Sequence, residues 1–131
     1  MTQKKNYRMA QVNRLLQEEI AEILLSELQD ERLHQLTVTE VRASRDLHHA
    51  IVFATTRDKL KWKEYLEVAK RSAGYIRRVL YSRLHLKRIP ELEFRYDESL
   101  DQAERIFRTL DELSPDMERQ ADDSPESSTT E

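Results

Sequence analysis

A single glycine, Gly74, occurs in 131 residues. That scarcity excludes Walker and dinucleotide fingerprints, whose phosphate-cradling loops need several glycines at fixed spacing. Gly74 falls inside the stretch Leu66 to Tyr96, LEVAKRSAGYIRRVLYSRLHLKRIPELEFRY. The stretch reads as a helix, a kink at the glycine, a second basic helix and a strand. Glycine within a helix costs about 1 kcal/mol relative to alanine, so at this position it predicts a break or a close approach.

Charge is unevenly divided. Residues 1–96 carry 19 Lys and Arg against 13 Asp and Glu, and residues 97–131 carry 3 against 12. A basic body with an acidic end is the pattern relevant to partners. Lys70, Arg71, Arg77, Arg78, Arg83, Lys87 and Arg88 lie on predicted helix or at its exit. An ordered basic array on a small domain is the electrostatic footprint expected for nucleic acid. The competing view is a set of solvated helix faces, with Arg83, Lys87 and Arg88 favoured by the dipole of a helix C-terminus.

The length predicts one domain with a modest core. With no cysteine, disulfide and thiolate chemistry are excluded. The start is polar and basic, and the longest apolar run, Ala50 to Ala54, is too short to span a membrane. A soluble, cytoplasmic protein is expected.

Val12, Leu15, Leu16, Ile20, Ile23, Leu24 and Leu28 recur at helical spacing and predict an amphipathic helix over 7–28. Lys4, Lys5, Arg8 and Arg14 precede the first acidic residue, Glu18. Positive charge at a helix N-terminus opposes the macrodipole, so these cations either serve a partner or belong to a frayed start. Leu36 to Ala43 reads as a strand whose apolar parity changes between Val38 and Val41, which predicts a bulge near Thr39–Glu40. Ala50 to Thr55 is a second strand, joined to the first as an antiparallel hairpin through the polar turn Ser44 to His49. Asp58 is a candidate cap for the next helix, with Leu60, Tyr65, Leu66 and Ala69 as its apolar stripe. Beyond Gly74, Ile76, Val79, Leu80 and Leu84 face the core. Arg77, Arg78, Tyr81 and His85 share the opposite arc, and Arg83 falls nearer the apolar side. Leu92, Phe94 and Tyr96 alternate with Glu91, Glu93 and Arg95 in a strand that begins at Pro90. Leu100 to Leu113 is a last helix, and 114–131 reads as a disordered acidic tail. The element order is α-β-β-α-kink-α-β-α, an α+β class. The expected division is an ordered domain over 1–113 and a tail over 114–131.

Asp46, His48 and His49 form the one cluster that suggests catalysis or a metal. Adjacent histidines on a turn rarely share one ion, and no second ligand set accompanies them. No motif places a nucleophile beside a base. Neither a catalytic nor a metal site is expected, and no cofactor. Tyr7, Tyr75 and Tyr81 are the only aromatics placed for stacking, which favours phosphate and shape contacts over base-by-base readout. The acidic tail is a solubilising segment or an intramolecular competitor for the basic face.

In combination, LTVTEVRASRDLHHAIVFAT (36–55), SAGYIRRVLYSRLHLKRIPELEFRYDES (72–99) and ERIFRTLDEL (104–113) resemble the ribosome-binding factor A family of bacterial small-subunit maturation factors. The resemblance runs from about Tyr7 to Leu113. It implies a KH-like fold of the type II order, here with an extra C-terminal helix. In place of a GxxG loop it implies an Ala-x-Gly kink, which in this chain is Ser72-Ala73-Gly74. Glu31 stands where proline is frequent in the family, and Ala103 where glycine is. The implied activity is non-catalytic: binding of free or immature 30S subunits and 16S rRNA near its 5′-terminal helix, in late rRNA processing and growth in the cold, by a monomer. The basic residues carried over as an RNA face are Lys70, Arg71, Arg77, Arg78 and Arg88, with Arg45 in the S-x-DL turn as a further contact; Lys4, Lys5 and Arg8 are added to the RNA-binding set for their charge at the start. Two other classes compete. One is a protein-interaction adaptor whose basic face is incidental; the other is a hydrolase using His48 and His49.

Overall fold

The computed structural model describes residues 2–113, with the side chains of residues 2–7 and of Leu100 left undescribed. The element order is α1 (Thr2–Ser26), a 3-10 turn (Leu33–Gln35), β1 (Thr37–Ala43), β2 (His49–Thr55), α2 (Trp62–Arg83), β3 (Glu91–Tyr96) and α3 (Ser99–Leu113). The chain divides into two units, residues 1–97 and 98–131. The predicted tail, 114–131, lies outside the described residues.

The first unit is a three-stranded sheet in the order β1-β2-β3. The β1–β2 pair is the expected antiparallel hairpin. β3 joins β2 in parallel, so α2 is the crossover that a parallel pair requires. One sheet face is buried through Val38, Val41, Ala50, Val52, Ala54 and Phe94. α1 brings Leu16, Ile20, Ile23 and Leu24 to that core, and α2 brings Leu66, Ala69, Ile76 and Leu80. Both stripes repeat at three and four residues, the spacing that keeps side chains on one side of a helix. Each buried Leu or Ile contributes about 1.5–3 kcal/mol over its exposed state.

The change of parity in β1 has the predicted cause. Register shifts between Val38 and Glu40, leaving Thr39 as the extra residue. Its backbone oxygen, which a bulge removes from the ladder, accepts from Gln17 Nε2 at 3.2 Å. Its hydroxyl donates to Phe53 O at 3.3 Å and also meets the Asp97 carboxylate. One helical turn before Gln17, Asn13 Oδ1 accepts the Ala43 N–H at 2.9 Å. Two amides on one side of α1 thus occupy polar groups of the edge strand β1, which leaves it a poorer template for pairing with another chain.

Three expectations need correction. α2 is one helix from Trp62 to Arg83, where two helices flanking a kink at Ser72-Ala73-Gly74 were expected. The Ser72 hydroxyl donates to Val68 O at 2.9 Å, within the helix, and burial of Ala69, Ile76 and Leu80 on either side outweighs the glycine penalty. Nor does Asp58 cap α2. Its Oδ1 takes the Leu60 N–H at 3.1 Å and its carbonyl takes the Lys61 N–H at 3.2 Å, which makes a turn ahead of the helix. Leu60 consequently falls outside the apolar stripe and is 97% exposed. Finally, α2 ends at Arg83, so His85 is not part of its polar arc.

In the second unit, α3 carries the predicted helix, and Ile106, Phe107 and Leu113 are exposed on it.

Candidate nucleic-acid interface

Two groups of cations bear on the candidate face. Arg32, Arg42, Arg83 and Arg95 each make an ion pair with a carboxylate. Arg83 is the extreme case: it reaches from the end of α2 to Glu19 and Glu22 on α1 and to Glu27 just beyond it. Hydrogen bonding to Glu22 and then Glu19 holds the guanidinium firmly protonated, against the opposing effect of burial. In return, the Arg83 hydrogen bond holds the Glu22 carboxyl below its ordinary range. Arg83 is therefore a splint between two helices and not part of an open surface.

Arg8, Arg45, Lys70, Arg71, Arg77, Arg78, Lys87 and Arg88 form the second group. All are exposed, and among the described residues none is ion-paired with a carboxylate. Arg77, Lys70, Tyr81, Gly74, Arg78 and Arg71 follow one another around the outer side of α2 at about 100° per residue. The Arg78 guanidinium lies 5.7 Å from the centre of the Tyr75 ring, a cation–π contact that steadies both side chains. Tyr81 is 78% exposed, and a Cβ built on Gly74 would meet no atom within 4 Å. The glycine thus leaves a bare patch of helix between cations. Among the described residues, no neighbour requires it.

Arg77 has an additional task. Its Nε and Nη2 donate to Ile89 O at 3.1 and 2.9 Å, fixing the segment that leads into β3. In that segment Arg88 Nη1 stands 3.2 Å from His48 Nδ1, on the hairpin turn. A guanidinium only donates, so this His48 nitrogen accepts. Two contacts therefore connect the α2 face to the turn that presents Arg45.

The turn is built without glycine. Ser44 Oγ donates to Asp46 Oδ1 at 2.7 Å, the His48 N–H donates to the same oxygen at 3.0 Å, and the His49 N–H donates to Ser44 Oγ at 3.1 Å. The Ser44 bond, with the His48 amide next, holds the Asp46 carboxyl below its usual range. Leu47 takes φ 60°, a left-handed conformation costing a leucine roughly 1–2 kcal/mol. Asp46, His48 and His49 do not converge: Asp46 is engaged by the turn, His48 faces Arg88, and His49 Nδ1 lies 3.6 Å from Glu91 Oε1. No group of three or more acidic, histidine or cysteine side chains that could hold a metal occurs among the described residues.

At one end of this surface is an open cleft of about 510 Å³. Arg8, Met9 and Val12 of α1, Arg45 and Leu47 of the turn, and His85, Leu86 and Lys87 after α2 line it. Arg8 and Arg45 are thus brought together with Lys87, a member of the basic array that was not among the expected RNA-face residues. Its adjacency to Arg88 in HLKRIP was the available signal. Lys4 and Lys5 lie on the first turns of α1, but their side chains are outside the described residues. No helix among the described residues is long and apolar enough to cross a membrane.

Residues 8–110 match the family described as ribosome-binding factor A. A ribosome-binding factor A from Thermomicrobium roseum is 42% identical over 96% of this chain and 97% of its own. One from Alkalilimnicola ehrlichii is 39% identical over 91% and 94%. The crystal structure of ribosome-binding factor A from Thermus thermophilus superposes with a TM-score of 0.61 at 28% identity, covering 67% of this chain and 93% of that one. A homology model of the Thermus protein, fitted into the cryo-EM map of a 30S complex, gives a TM-score of 0.56 at 28% identity, covering 66% and 91%. With the match spanning nearly all of the described chain, the protein belongs to the ribosome-binding factor A family.

Proposed function

We propose that this protein is a non-catalytic ribosome assembly factor. It binds free or immature 30S subunits as a monomer, through 16S rRNA near the 5′-terminal helix, and assists late rRNA processing and small-subunit maturation. The observation that carries this reading is the separation of the arginines. Arg32, Arg42, Arg83 and Arg95 are matched with carboxylates, whereas Arg8, Arg45, Lys70, Arg71, Arg78 and Arg88 are held on ordered backbone without one among the described residues. Cations so placed suit a phosphate backbone, whose contacts position a protein without reading sequence. The 30S complex of the Thermus relative supports the choice of partner.

Occupancy is sufficient as a mechanism. The domain docks on rRNA, favours one local RNA arrangement and leaves on maturation. This requires different affinities for immature and mature subunits, because equal binding shifts no equilibrium.

Gradient sedimentation of a lysate at low and moderate salt tests the reading. Co-migration with free 30S at low salt, loss of it at moderate salt and absence from 70S are expected, since phosphate contacts weaken steeply with ionic strength. A position at the top of the gradient at both salts would instead indicate a protein-interaction adaptor.

A further inference from the structure

The outer side of α2 is convex and suits the phosphates of helical RNA. The cleft beside it is different in kind. Its lining combines apolar side chains, Met9, Val12, Leu47 and Leu86, with the cations Arg8, Arg45 and Lys87. No carboxylate is among its described lining residues. At about 510 Å³ it falls within the range of pockets that hold drug-sized ligands. Phosphates alone leave the apolar lining unused, and an apolar side chain leaves three cations unmatched. An occupant that satisfies both is flat and apolar at one end and anionic at the other.

Building on rRNA binding as the protein's function, we propose that this cleft takes one unpaired nucleotide of an RNA strand. The base lies against Met9, Leu47 and Leu86, and its flanking phosphates meet Arg8, Arg45 and Lys87. Unstacked bases are recognised by apolar surfaces, by guanidinium planes and by imidazoles, and His85 and the two arginines stand at this cleft. Leu47 supports the assignment independently. A leucine at φ 60° is an uncommon choice where glycine or asparagine would be unstrained, and its side chain forms part of the cleft wall. The acidic segment 114–131 matches the cations but not the apolar lining, since its apolar residues are Met117, Ala121 and two prolines.

The test uses the full chain and three versions of one RNA hairpin: fully paired, with a single-nucleotide bulge of 2-aminopurine, and with an abasic residue at the bulge. Affinity is read by anisotropy and base environment by 2-aminopurine fluorescence. The bulged hairpin should bind about tenfold more tightly than the other two, the size of effect expected for one base held on a protein surface. L47G, which relieves the backbone strain, and M9A should each abolish that preference while leaving affinity for the paired hairpin unchanged; thermal melts verify folding. R78E should weaken all three RNAs equally. If the abasic bulge binds as tightly as the intact one, or the preference survives in folded L47G and M9A, the cleft does not take a base and its charge alone is at work. Absence of salt-sensitive binding to any of the RNAs would overturn the RNA-binding function itself, a result distinct from loss of the preference.

Discussion

Arg77 Nε and Nη2 both donate to the carbonyl oxygen of Ile89, closing a loop of twelve residues between α2 and the start of β3. A residue that sequence assigns to an RNA face therefore also braces the fold. R77A should lower stability by about 1–2 kcal/mol, since hydrogen bonds from a charged donor contribute more than neutral ones and Arg77 is partly screened by water. R78A should fall within about 0.5 kcal/mol of the parent, as surface changes do. Urea denaturation of both variants checks the contrast. Loss of subunit binding in an Arg77 variant says little about RNA unless that variant melts normally.

Lys70 and Arg78 provide the cleaner test of the interface. K70E with R78E should leave the melting temperature near that of the parent and abolish co-sedimentation with 30S. Alanine at either position should reduce the slope of log affinity against log salt by about one for each phosphate that is no longer neutralised. Fluorescence titration of an rRNA fragment between low and moderate salt measures that slope. A folded double reversal that still co-sediments would remove the α2 face from the interface.

Gly74 makes a prediction of opposite signs. Beyond its own helix backbone, its Cβ would meet no atom of the described residues within 4 Å, and alanine favours helix by about 0.8–1 kcal/mol. G74A should accordingly raise stability by up to about 1 kcal/mol. Since the added methyl stands between Lys70 and Arg78, it should also weaken subunit binding several-fold. Thermal melts and sedimentation of the same preparation measure the two effects together.

The Arg83 splint predicts a pH dependence. The Arg83 hydrogen bond, ahead of Ser26, depresses the folded-state pKa of Glu22. A carboxyl lowered on folding contributes stability that is fully present above its unfolded value, about 4.3, and is lost as pH falls through the folded one. E22Q should therefore be less stable than the parent at pH 7, and the difference should shrink towards zero below about pH 4. Urea midpoints at the two pH values decide. A gap that widens in acid would remove Glu22 as the source.

Much of the fold could be read from the pattern of apolar residues. The step from Val38 to Val41 marked the bulge because strand parity admits no other local remedy, and the alternation from Glu91 to Tyr96 marked β3. Leu60 misled because it fits the helical period, while the Asp58 turn that excludes it depends on hydrogen bonds invisible to periodicity. The kink was read from glycine's intrinsic penalty, which core burial overrides. The candidate site was legible as charge but not as allocation. Which arginines brace the fold and which remain open depends on partners such as Glu19, 64 positions from Arg83, and Ile89. The cleft left no sequence signal, because it is assembled from 8–12, 45–47 and 85–87.

The parallel pairing of β2 with β3 also sets an order of events. The β1–β2 hairpin closes over a turn of a few residues, whereas β3 reaches its place only after the whole crossover through α2 has been made. Contacts of such long sequence separation form late, because their loop-closure entropy precedes any gain from pairing. Arg77, Arg88 and the segment that joins them to the turn depend on that final strand. During synthesis the hairpin leaves the ribosome first, but the connected array of cations does not exist until β3 has docked. A nascent or half-folded chain thus carries the α2 cations without the Arg77 and Arg88 contacts that tie them to the turn, so the connected array comes only with the finished fold.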